Sequence, residues 1–242
     1  AELGKRFGFS MTTNGVELTP EIRKFLVDER FSVMISLDGE PAQHDASRPF
    51  LSGKGSFATI EPRARAFIAE AKAAGLGVNG RTTLNRTHLG HVVDLYRFLD
   101  EDMGFSAVST PIIHEPAPEG FGFRPEDVPR LEAEFRDLAE VFVARSARDG
   151  RMPPWGTLTT FLHSIHHRMR PNRGCAAGRL AICTDVDGDM YPCERFITRK
   201  DWVLTRADGE GYAMDRVHAL SEIDRIGPYE KCGPAWGKLC SW

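Results

Sequence analysis

The amino-acid sequence predicts an α/β protein with a parallel β-sheet, either open or rolled into a barrel. Over the first two thirds of the chain, β-rich runs alternate with runs whose apolar residues recur at helical spacing. Connections after the predicted helices are short, whereas those after the predicted strands are longer. Since parallel strands need a crossover element between them, this alternation favours a parallel sheet over hairpins.

The predicted strands contain β-branched or aromatic residues and are bounded by turn residues. They cover 6–15, 31–39, 77–86 and 105–115. The predicted helices cover 19–29, 56–76, 88–104, 126–150 and 157–170. Thr19 and Pro20 are residue types typical of an N-cap and a first helical position. The helix over 56–76 follows a glycine-rich loop, and its regular part is expected to begin near Pro62.

Polar side chains stand where the predicted strands end. They include Asn14 after the first strand, and Ser36 and Asp38 at the end of the second. The segment 81–83 and His114 belong to the third and fourth strands. Parallel α/β folds bind ligands at this edge of the sheet, so the repetition favours a binding site. Roles in turns and caps fit Asn14 and Asp38 equally well.

Composition places the chain among ordinary globular proteins. Of its 242 residues, 41% are hydrophobic and 27% are charged, and the formal net charge is −3. This balance gives no reason to expect nucleic acid or a membrane as a partner. No apolar run approaches the roughly 20 residues that span a bilayer, and no signal peptide opens the chain, so a cytoplasmic location is expected. The chain begins at Ala1 in mid-pattern, which is typical of an N-terminally truncated sequence.

All the cysteines lie in the C-terminal part of the chain. They are Cys175, Cys183, Cys193, Cys232 and Cys240. An odd number of cysteines without a secretion signal argues against a disulfide framework and favours a metal or cluster site. Buried free thiols would give the same composition. No close C-x2-C pair is present, so structural zinc is less favoured than an iron–sulfur cluster, which accepts more widely spaced ligands.

The stretch "DVDGDMYPCERF" over 185–196 predicts a β-hairpin that turns at Asp187-Gly188. Pro192 should end the returning strand, because it cannot donate to the ladder, and so hold Cys193 on a rigid backbone. Upstream, "RMPPWG" breaks the chain and predicts a domain boundary near residue 151. The last helix carries histidines that could meet a metal, although a solvated basic helix end is the simpler interpretation. These histidines are His163, His166 and His167.

Several motifs resemble those of one enzyme superfamily. The spacing C-x12-G-x4-C, with its second cysteine in "DGDMYPC", resembles the start of a SPASM domain. "SMTTNGVELT" and "SLDGEPAQHDASRPFLSGKGSF" resemble the third- and fourth-strand segments of the radical S-adenosylmethionine (SAM) enzymes that carry this domain. The sequence is therefore similar to radical SAM/SPASM peptide and protein maturases, the superfamily that includes anaerobic sulfatase-maturating enzymes.

The resemblance implies a partial (β/α)6 radical SAM barrel over 1–150, with strands 3 to 6 of that barrel. A loop-rich, cysteine-containing SPASM domain would follow over 151–242. The implied cofactors are SAM and [4Fe-4S] clusters. The implied reaction is hydrogen-atom abstraction that crosslinks or oxidises a ribosomal peptide or protein. The implied partners are a precursor peptide or protein and an electron donor such as flavodoxin or ferredoxin.

The resemblance also assigns roles to individual residues. Ser36 would contact the SAM ribose, and Asn14 and Asp38 would line the same edge. Cys175 and Cys193 would ligate a first auxiliary cluster. A C-terminal cysteine run would include Cys232 and Cys240, but it departs from the family pattern because Ala235 stands where a cysteine is expected. Cys183 is either a further ligand or a small buried hydrophobe.

Glu194 is the candidate catalytic base. Relatives that mature sulfatases have an aspartate directly after the last cysteine of this hairpin, whereas this chain has Glu194. The difference favours a ribosomal-peptide maturase over a sulfatase-type formylglycine maturase. The sequence is also compatible with a non-catalytic peptide-binding remnant of such an enzyme and with a small zinc protein. Because no cysteine precedes Cys175, this chain by itself is expected not to cleave SAM reductively.

Overall fold

The computed structural model describes residues 4, 7–113, 117–168, 182–197 and 199–207. The chain divides into two compact units, Ala1–Arg168 and Met169–Trp242. The sequence placed a boundary earlier, near residue 151, and the assignment of 1–150 and 151–242 to a radical SAM barrel and a SPASM domain stays a prediction. No helix among the described residues combines the length and the apolar character that crossing a bilayer requires.

The first unit contains a four-stranded parallel sheet whose strands follow one another in chain order. The strands are β1 (Ser10–Thr13), β2 (Ser32–Ser36), β3 (Val78–Arg81) and β4 (Ala107–Ser109). In the middle of the sheet, Met34 pairs with Thr12 on one side and with Asn79 on the other. The predicted α/β class with a parallel sheet is confirmed. Each strand is shorter than its predicted segment.

The helices of this unit alternate with its strands along the chain, as predicted. They are α1 (Pro20–Asp28), α2 (Pro41–Ser47), α3 (Phe57–Ala73), α4 (Val92–Arg97), α5 (Val128–Asp149) and α6 (Gly156–His166). The hydroxyl of Thr19 caps α1 as predicted, accepting a hydrogen bond from the Ile22 N–H at 3.4 Å. The α2 helix was not predicted, because its seven residues carry no helical apolar pattern. A π-helical turn, Phe98–Asp102, continues α4.

The α3 helix begins at Phe57, so the expectation of a regular start near Pro62 was wrong. The Asp45 carboxylate accepts a hydrogen bond from the Phe57 N–H at 2.8 Å and thereby satisfies one of the free donors of the first turn. Pro62 cannot donate to the carbonyl of Ala58, but both residues are exposed, so water can replace the missing donor. The early start is therefore stabilised by a carboxylate from α2.

The hydrophobic core lies between one face of the sheet and the helices. Strand residues such as Ile35 and Val108 are fully buried and belong to the same hydrophobic cluster as Phe67 of α3 and Leu138 of α5. Trp155, which precedes α6, is also fully buried. Its ring packs against those of Tyr96 and Phe142, with distances between ring centroids of 5.1 and 5.8 Å. The chain before Trp155 extends the sheet, since the Val108 N–H donates to the Pro154 carbonyl at 2.8 Å.

Gly80 of β3 tests how closely this core is packed. A methyl group at Gly80 would lie 2.7 Å from the ring of Phe105, which is 2% exposed and has little room to move. Gly80→Ala is expected to lower the free energy of unfolding by about 1–3 kcal/mol, measured by urea denaturation. Gly8→Ala is the control, since nothing lies within 4 Å of the added methyl group there. Equal stability of the two variants would contradict this prediction.

The second unit contains an antiparallel sheet in the order β5 (Cys183–Thr184), β6 (Asp189–Tyr191) and β7 (Thr205–Arg206). The predicted hairpin is confirmed, and Pro192 directly follows its second strand. The turn lies one residue earlier than predicted, because the Gly188 N–H donates to the Asp185 carbonyl at 3.1 Å. Gly188 supplies the left-handed conformation that leads into β6, with φ of 85°.

Candidate functional site

The second face of the parallel sheet is polar. Its side chains alternate with those of the core, and all except Met34 are small or carry hydrogen-bonding groups. This polar face consists of Ser10, Thr12, Ser32, Met34, Ser36, Asn79, Arg81, Ala107 and Ser109. A groove of about 250 Å³ lies over its N-terminal half, lined by Ser10, Met11, Thr12, Ser32, Met34 and Asn79. Parallel sheets are usually apolar on both faces, so a polar face suits a ligand better than a packed layer.

Three residues form a row at the C-terminal edge of the polar face. Arg81 pairs in register with Ser36 on one side and with Ser109 on the other. Ser36 is 8% exposed, and Arg81 is exposed. The row therefore presents two hydroxyls and a guanidinium at the edge where parallel α/β folds bind ligands.

The three residues predicted to contact the cofactor lie in different surroundings. Ser36 lies in the edge row. Asn14 is exposed, and its carboxamide oxygen accepts from the Val16 N–H at 3.1 Å, as in an Asx-turn. Asp38 is 2% exposed, and its carboxylate accepts from Arg48 at 2.7 Å and from the Thr83 N–H at 3.1 Å. Contact of these residues with a cofactor stays a prediction.

A hydrogen-bond network, which we call the β2 latch, fixes the chain directly after Ser36. The Asp38 N–H donates to His44 Nδ1 at 3.1 Å, which places the imidazole proton on Nε2. That nitrogen lies 3.0 Å from the Ser56 hydroxyl, which in turn donates to the Arg48 carbonyl at 2.6 Å. The ion pair between Asp38 and Arg48 connects the first residue of this network to the last. The latch is thus Asp38, His44, Arg48 and Ser56, the same residues that carry the fourth-strand motif of the sequence.

Burial makes the β2 latch sensitive to acid. His44 is fully buried, and this desolvation lowers the pKa of its imidazole, although the Asp38 carboxylate acts in the opposite direction. Below about pH 6.5 the His44 side chain therefore binds a proton more readily in the unfolded chain than in the folded chain. The free energy of unfolding should accordingly fall as the pH falls. The unfolding free energy, measured by urea denaturation, is expected to decrease from pH 7.5 to pH 5.5.

His44→Gln should flatten this pH dependence, because it removes the titrating group from the latch. His91→Gln is the matched control, since His91 is exposed. If the His44 variant keeps the wild-type slope of stability against pH, the acid sensitivity has another origin.

Charged side chains stabilise the hairpin of the second unit. The Lys200 ammonium donates to Asp189 at 2.8 Å and to Asp185 at 3.3 Å, and Arg206 donates to Asp189 at 3.0 Å. The Asp185 carboxylate also accepts from the Tyr191 hydroxyl at 3.1 Å. These bonds tie β6 to both of its neighbours just before Pro192 and Cys193.

The predicted cluster residues are only partly within the described chain. Cys193 is half-buried at the start of the 3-10 turn Glu194–Phe196, and Glu194 is exposed. Cys183 is half-buried on β5. The other predicted ligands lie outside the described residues, namely Cys175, Cys232 and Cys240. Within the described residues, no group of three or more His, Cys, Asp or Glu side chains is arranged to hold a metal ion, and this includes the histidines of α6.

The fold and the polar face define an α/β protein whose parallel sheet is packed on one face and largely polar on the other. No family model matches the chain. It is 24% identical over 240 residues to a cysteine-type anaerobic sulfatase-maturating enzyme of Clostridium perfringens (strain 13 / Type A), covering 96% of this chain and 62% of that enzyme. A cysteine-type anaerobic sulfatase-maturating enzyme of Clostridium novyi (strain NT) is 25% identical over 195 residues, covering 78% of this chain and 50% of that enzyme.

Solved structures share the fold. The structure of anSMEcpe with bound AdoMet (SAM) matches with a TM-score of 0.72 at 19% identity, covering 88% of this chain and 57% of the other. Streptococcus suis SuiB bound to the precursor peptide SuiA matches with a TM-score of 0.56 at 15% identity, covering 85% of this chain and 46% of the other. The predicted resemblance to the radical SAM/SPASM maturases is confirmed, and these relatives are enzymes. The chain spans less than two thirds of the length of the relatives it matches.

Sequence reasoning missed most of the polar face. It selected Ser36 and the segment that contains Arg81, but not Asn79 or Ser109. The signal that could have found them is the two-residue period of side chains along each strand, combined with the pairing register. The register was not known from the sequence, so residues of different strands could not be placed in one row.

Proposed function

We propose that this protein takes part in the SAM-dependent radical modification of a ribosomal peptide or protein, with crosslinking or oxidation as the outcome. The observation that carries the proposal is the row of Ser36, Arg81 and Ser109 at the C-terminal edge of a parallel sheet. The same fold holds AdoMet in anSMEcpe. The SuiB structure with SuiA supports a peptide as the partner class.

The polar face fits SAM in its chemistry. Ribose hydroxyls and an amino-acid head group need short polar partners, and this face offers hydroxyls, a carboxamide and a guanidinium. The chemistry that SAM supplies when bound with a reduced [4Fe-4S] cluster is a carbon radical that removes a substrate hydrogen. Ser36 would hydrogen-bond to the ribose, and the β2 latch would hold the backbone of Ser36 in place. Cys193 is the described thiol that would contribute to an auxiliary cluster.

Binding of SAM to the purified protein tests this proposal directly. Ser36→Ala is expected to weaken SAM binding about fivefold in isothermal titration calorimetry, the effect of one lost hydrogen bond. Ser106→Ala is the control, because Ser106 is exposed and precedes β4. A wild-type protein that binds no SAM would overturn the proposal and favour the non-catalytic peptide-binding remnant.

A sulfatase-type formylglycine maturase is the second candidate. The names of the curated relatives favour it, since those relatives are sulfatase-maturating enzymes. Glu194 directly after Cys193 would then be the base that takes a proton from the substrate cysteine or serine. The test is the binding of a sulfatase-derived cysteine peptide to the wild-type protein. Binding that an excess of a ribosomal precursor peptide does not displace would favour this candidate.

A further inference from the structure

We propose that a cavity on the helix side of the first unit binds an alkylguanidinium group, the chemistry of an arginine side chain. The methylene stem of this group would lie on Leu95 and Phe98. Its N–H groups would meet the carbonyl oxygen of Gln43 and carboxylates at the rim of the cavity. The group is the arginine of a partner chain or a free small guanidinium compound. This inference goes beyond the proposed function, because it involves neither SAM nor the polar face.

The cavity, which we call the α4 cavity, lies between the start of α2 and one side of α4. It has a volume of about 350 Å³, and its walls include Gly39 and Gln43 on the first side and Leu95 and Phe98 on the second. Leu95 and Phe98 are buried members of the hydrophobic core, and the described residues that line the cavity include none of the polar face. Ligand pockets measure roughly 300–1,000 Å³, so this small volume suits one side chain better than a whole cofactor.

A π-helical turn shapes one end of the α4 cavity. Phe98 begins this turn and Asp102 ends it, and both residues line the cavity. π-helical turns are rare and are found frequently at functional sites. The helix that forms this wall therefore departs from regular geometry at the place where a ligand would contact it.

The charge at the rim is the first chemical reason for a cationic ligand. Three exposed carboxylates line the α4 cavity without an ion pair among the described residues, namely Glu40, Asp94 and Asp102. A fourth carboxylate, that of Glu101, pairs with Arg145 at 2.9 Å. Arg97 and His91 are the exposed basic residues that line the cavity, so at neutral pH the carboxylates outnumber the cations. A concave surface with one dominant sign of charge attracts a ligand of the opposite sign.

An acceptor without a partner is the second chemical reason. The side-chain oxygen of Gln43 is buried and has no hydrogen-bond partner among the described residues. Such an oxygen costs free energy that a ligand N–H can recover. Gln43 lies at the Leu95 end of the cavity, since a methyl group at Gly39 would be 3.1 Å from Leu95 and 3.6 Å from Gln43. The terminal torsion of glutamine is broad, so the carboxamide can turn its oxygen toward a donor at that end.

The combination of apolar walls, rim carboxylates and a free carbonyl oxygen selects a guanidinium. A long basic side chain packs its methylene groups on apolar surface and keeps its charged head at the polar boundary. The guanidinium has five N–H donors in a planar fork, which can bind a carboxylate with two of them and still donate to a carbonyl oxygen. It is also less strongly hydrated than an ammonium, so a lysine side chain should bind more weakly than arginine.

Nuclear magnetic resonance titration of the isotope-labelled protein tests this inference. The probes are a Gly/Ser octapeptide with one central arginine, its neutral citrulline counterpart, its lysine counterpart, and agmatine, which is an alkylguanidinium without a peptide backbone. The backbone amide resonance of Gly39 is followed, because Gly39 lies in the wall of the α4 cavity and reports binding there.

Three variants remove one acceptor each. Asp94→Asn and Glu40→Gln neutralise a rim carboxylate, and Gln43→Met keeps the length of the side chain without its carbonyl oxygen. Glu140→Gln is the matched control, since Glu140 is exposed on α5 and does not line the cavity. Circular dichroism confirms that each variant is folded.

The arginine peptide is expected to shift the Gly39 resonance and to bind about tenfold more tightly than the citrulline peptide. Asp94→Asn and Glu40→Gln should each weaken its binding by about three- to fivefold, whereas Glu140→Gln should leave it unchanged. Gln43→Met should also weaken binding, yet raise the urea midpoint of the free protein, because an apolar group replaces a buried oxygen without a partner.

The agmatine titration identifies the source of the group. Agmatine that binds as tightly as the arginine peptide indicates a free small compound, and tighter binding of the peptide indicates a partner chain. Equal affinities for the arginine and citrulline peptides overturn the inference, as does a Gly39 resonance that responds to neither guanidinium probe. Arginine binding that none of the three variants weakens overturns it as well. Because no probe is SAM, these results are independent of the test of the proposed function.

Discussion

Trp155→Ala is expected to lower the free energy of unfolding of the first unit by about 3–5 kcal/mol. The indole is fully buried between the rings of Tyr96 and Phe142, so its removal leaves a large cavity in the core. The indole N–H also donates to the Asp100 carboxylate at 3.0 Å, and this half-buried group would lose a partner. Urea denaturation followed by circular dichroism measures the change.

Phe161→Ala is the matched control for this substitution. Phe161 lies on α6, a few residues after Trp155, but its side chain is 62% exposed. The control should change stability by no more than about 0.5 kcal/mol, as expected for a surface substitution. If both variants lose the same stability, the region around Trp155 is not the tightly packed part of the core that the ring contacts indicate.

Cys193→Ala is expected to abolish most of the iron bound by the second unit after anaerobic expression with iron and sulfide. The proposed auxiliary cluster would lose a thiolate ligand that the hairpin and Pro192 place on a constrained backbone. Iron and sulfide analysis of the purified protein, together with its visible absorption, measures the effect. The first unit should keep its unfolding transition, because Cys193 is not part of it.

Cys183→Ala provides the comparison within the same hairpin. Cys183 lies on β5 opposite Tyr191, and both cysteines are half-buried, so the two substitutions remove similar thiols. Equal iron content in the two variants would contradict the assignment of Cys193 as a ligand. Zinc in place of iron in the wild-type protein would favour a small zinc protein instead.

Local chemistry made several elements of the fold predictable. Thr19 and Pro20 are sufficient to indicate the start of α1. Gly188 can adopt the left-handed conformation that the hairpin turn needs and that most other residues avoid. The start of α3 was not predictable in this way. The carboxylate that caps Phe57 comes from Asp45 on another helix, and no local pattern indicates such a partner.

In the candidate site, too, local positions were predictable from the sequence and tertiary partners were not. Ser36 was predicted because it ends a strand, and the structure places it in the edge row. Asp38 lies two residues after the same strand, and its carboxylate accepts a hydrogen bond from Arg48, which directly follows the short helix α2. Sequence reasoning could not distinguish these two positions, because the difference lies in which side chain finds a tertiary partner.

The β2 latch has a consequence for recombination between this protein and its relatives. Its four residues lie just after β2, on α2, just after α2 and just before α3, and they are joined to one another by hydrogen bonds. Substitutions within such a closed set are not additive, because the first one leaves a buried partner unsatisfied and the later ones have less left to disrupt. Chimeras should therefore tolerate exchange of the whole segment from Ser36 to Phe57, whereas crossovers inside it should yield unstable hybrids even when every individual residue occurs in a functional parent.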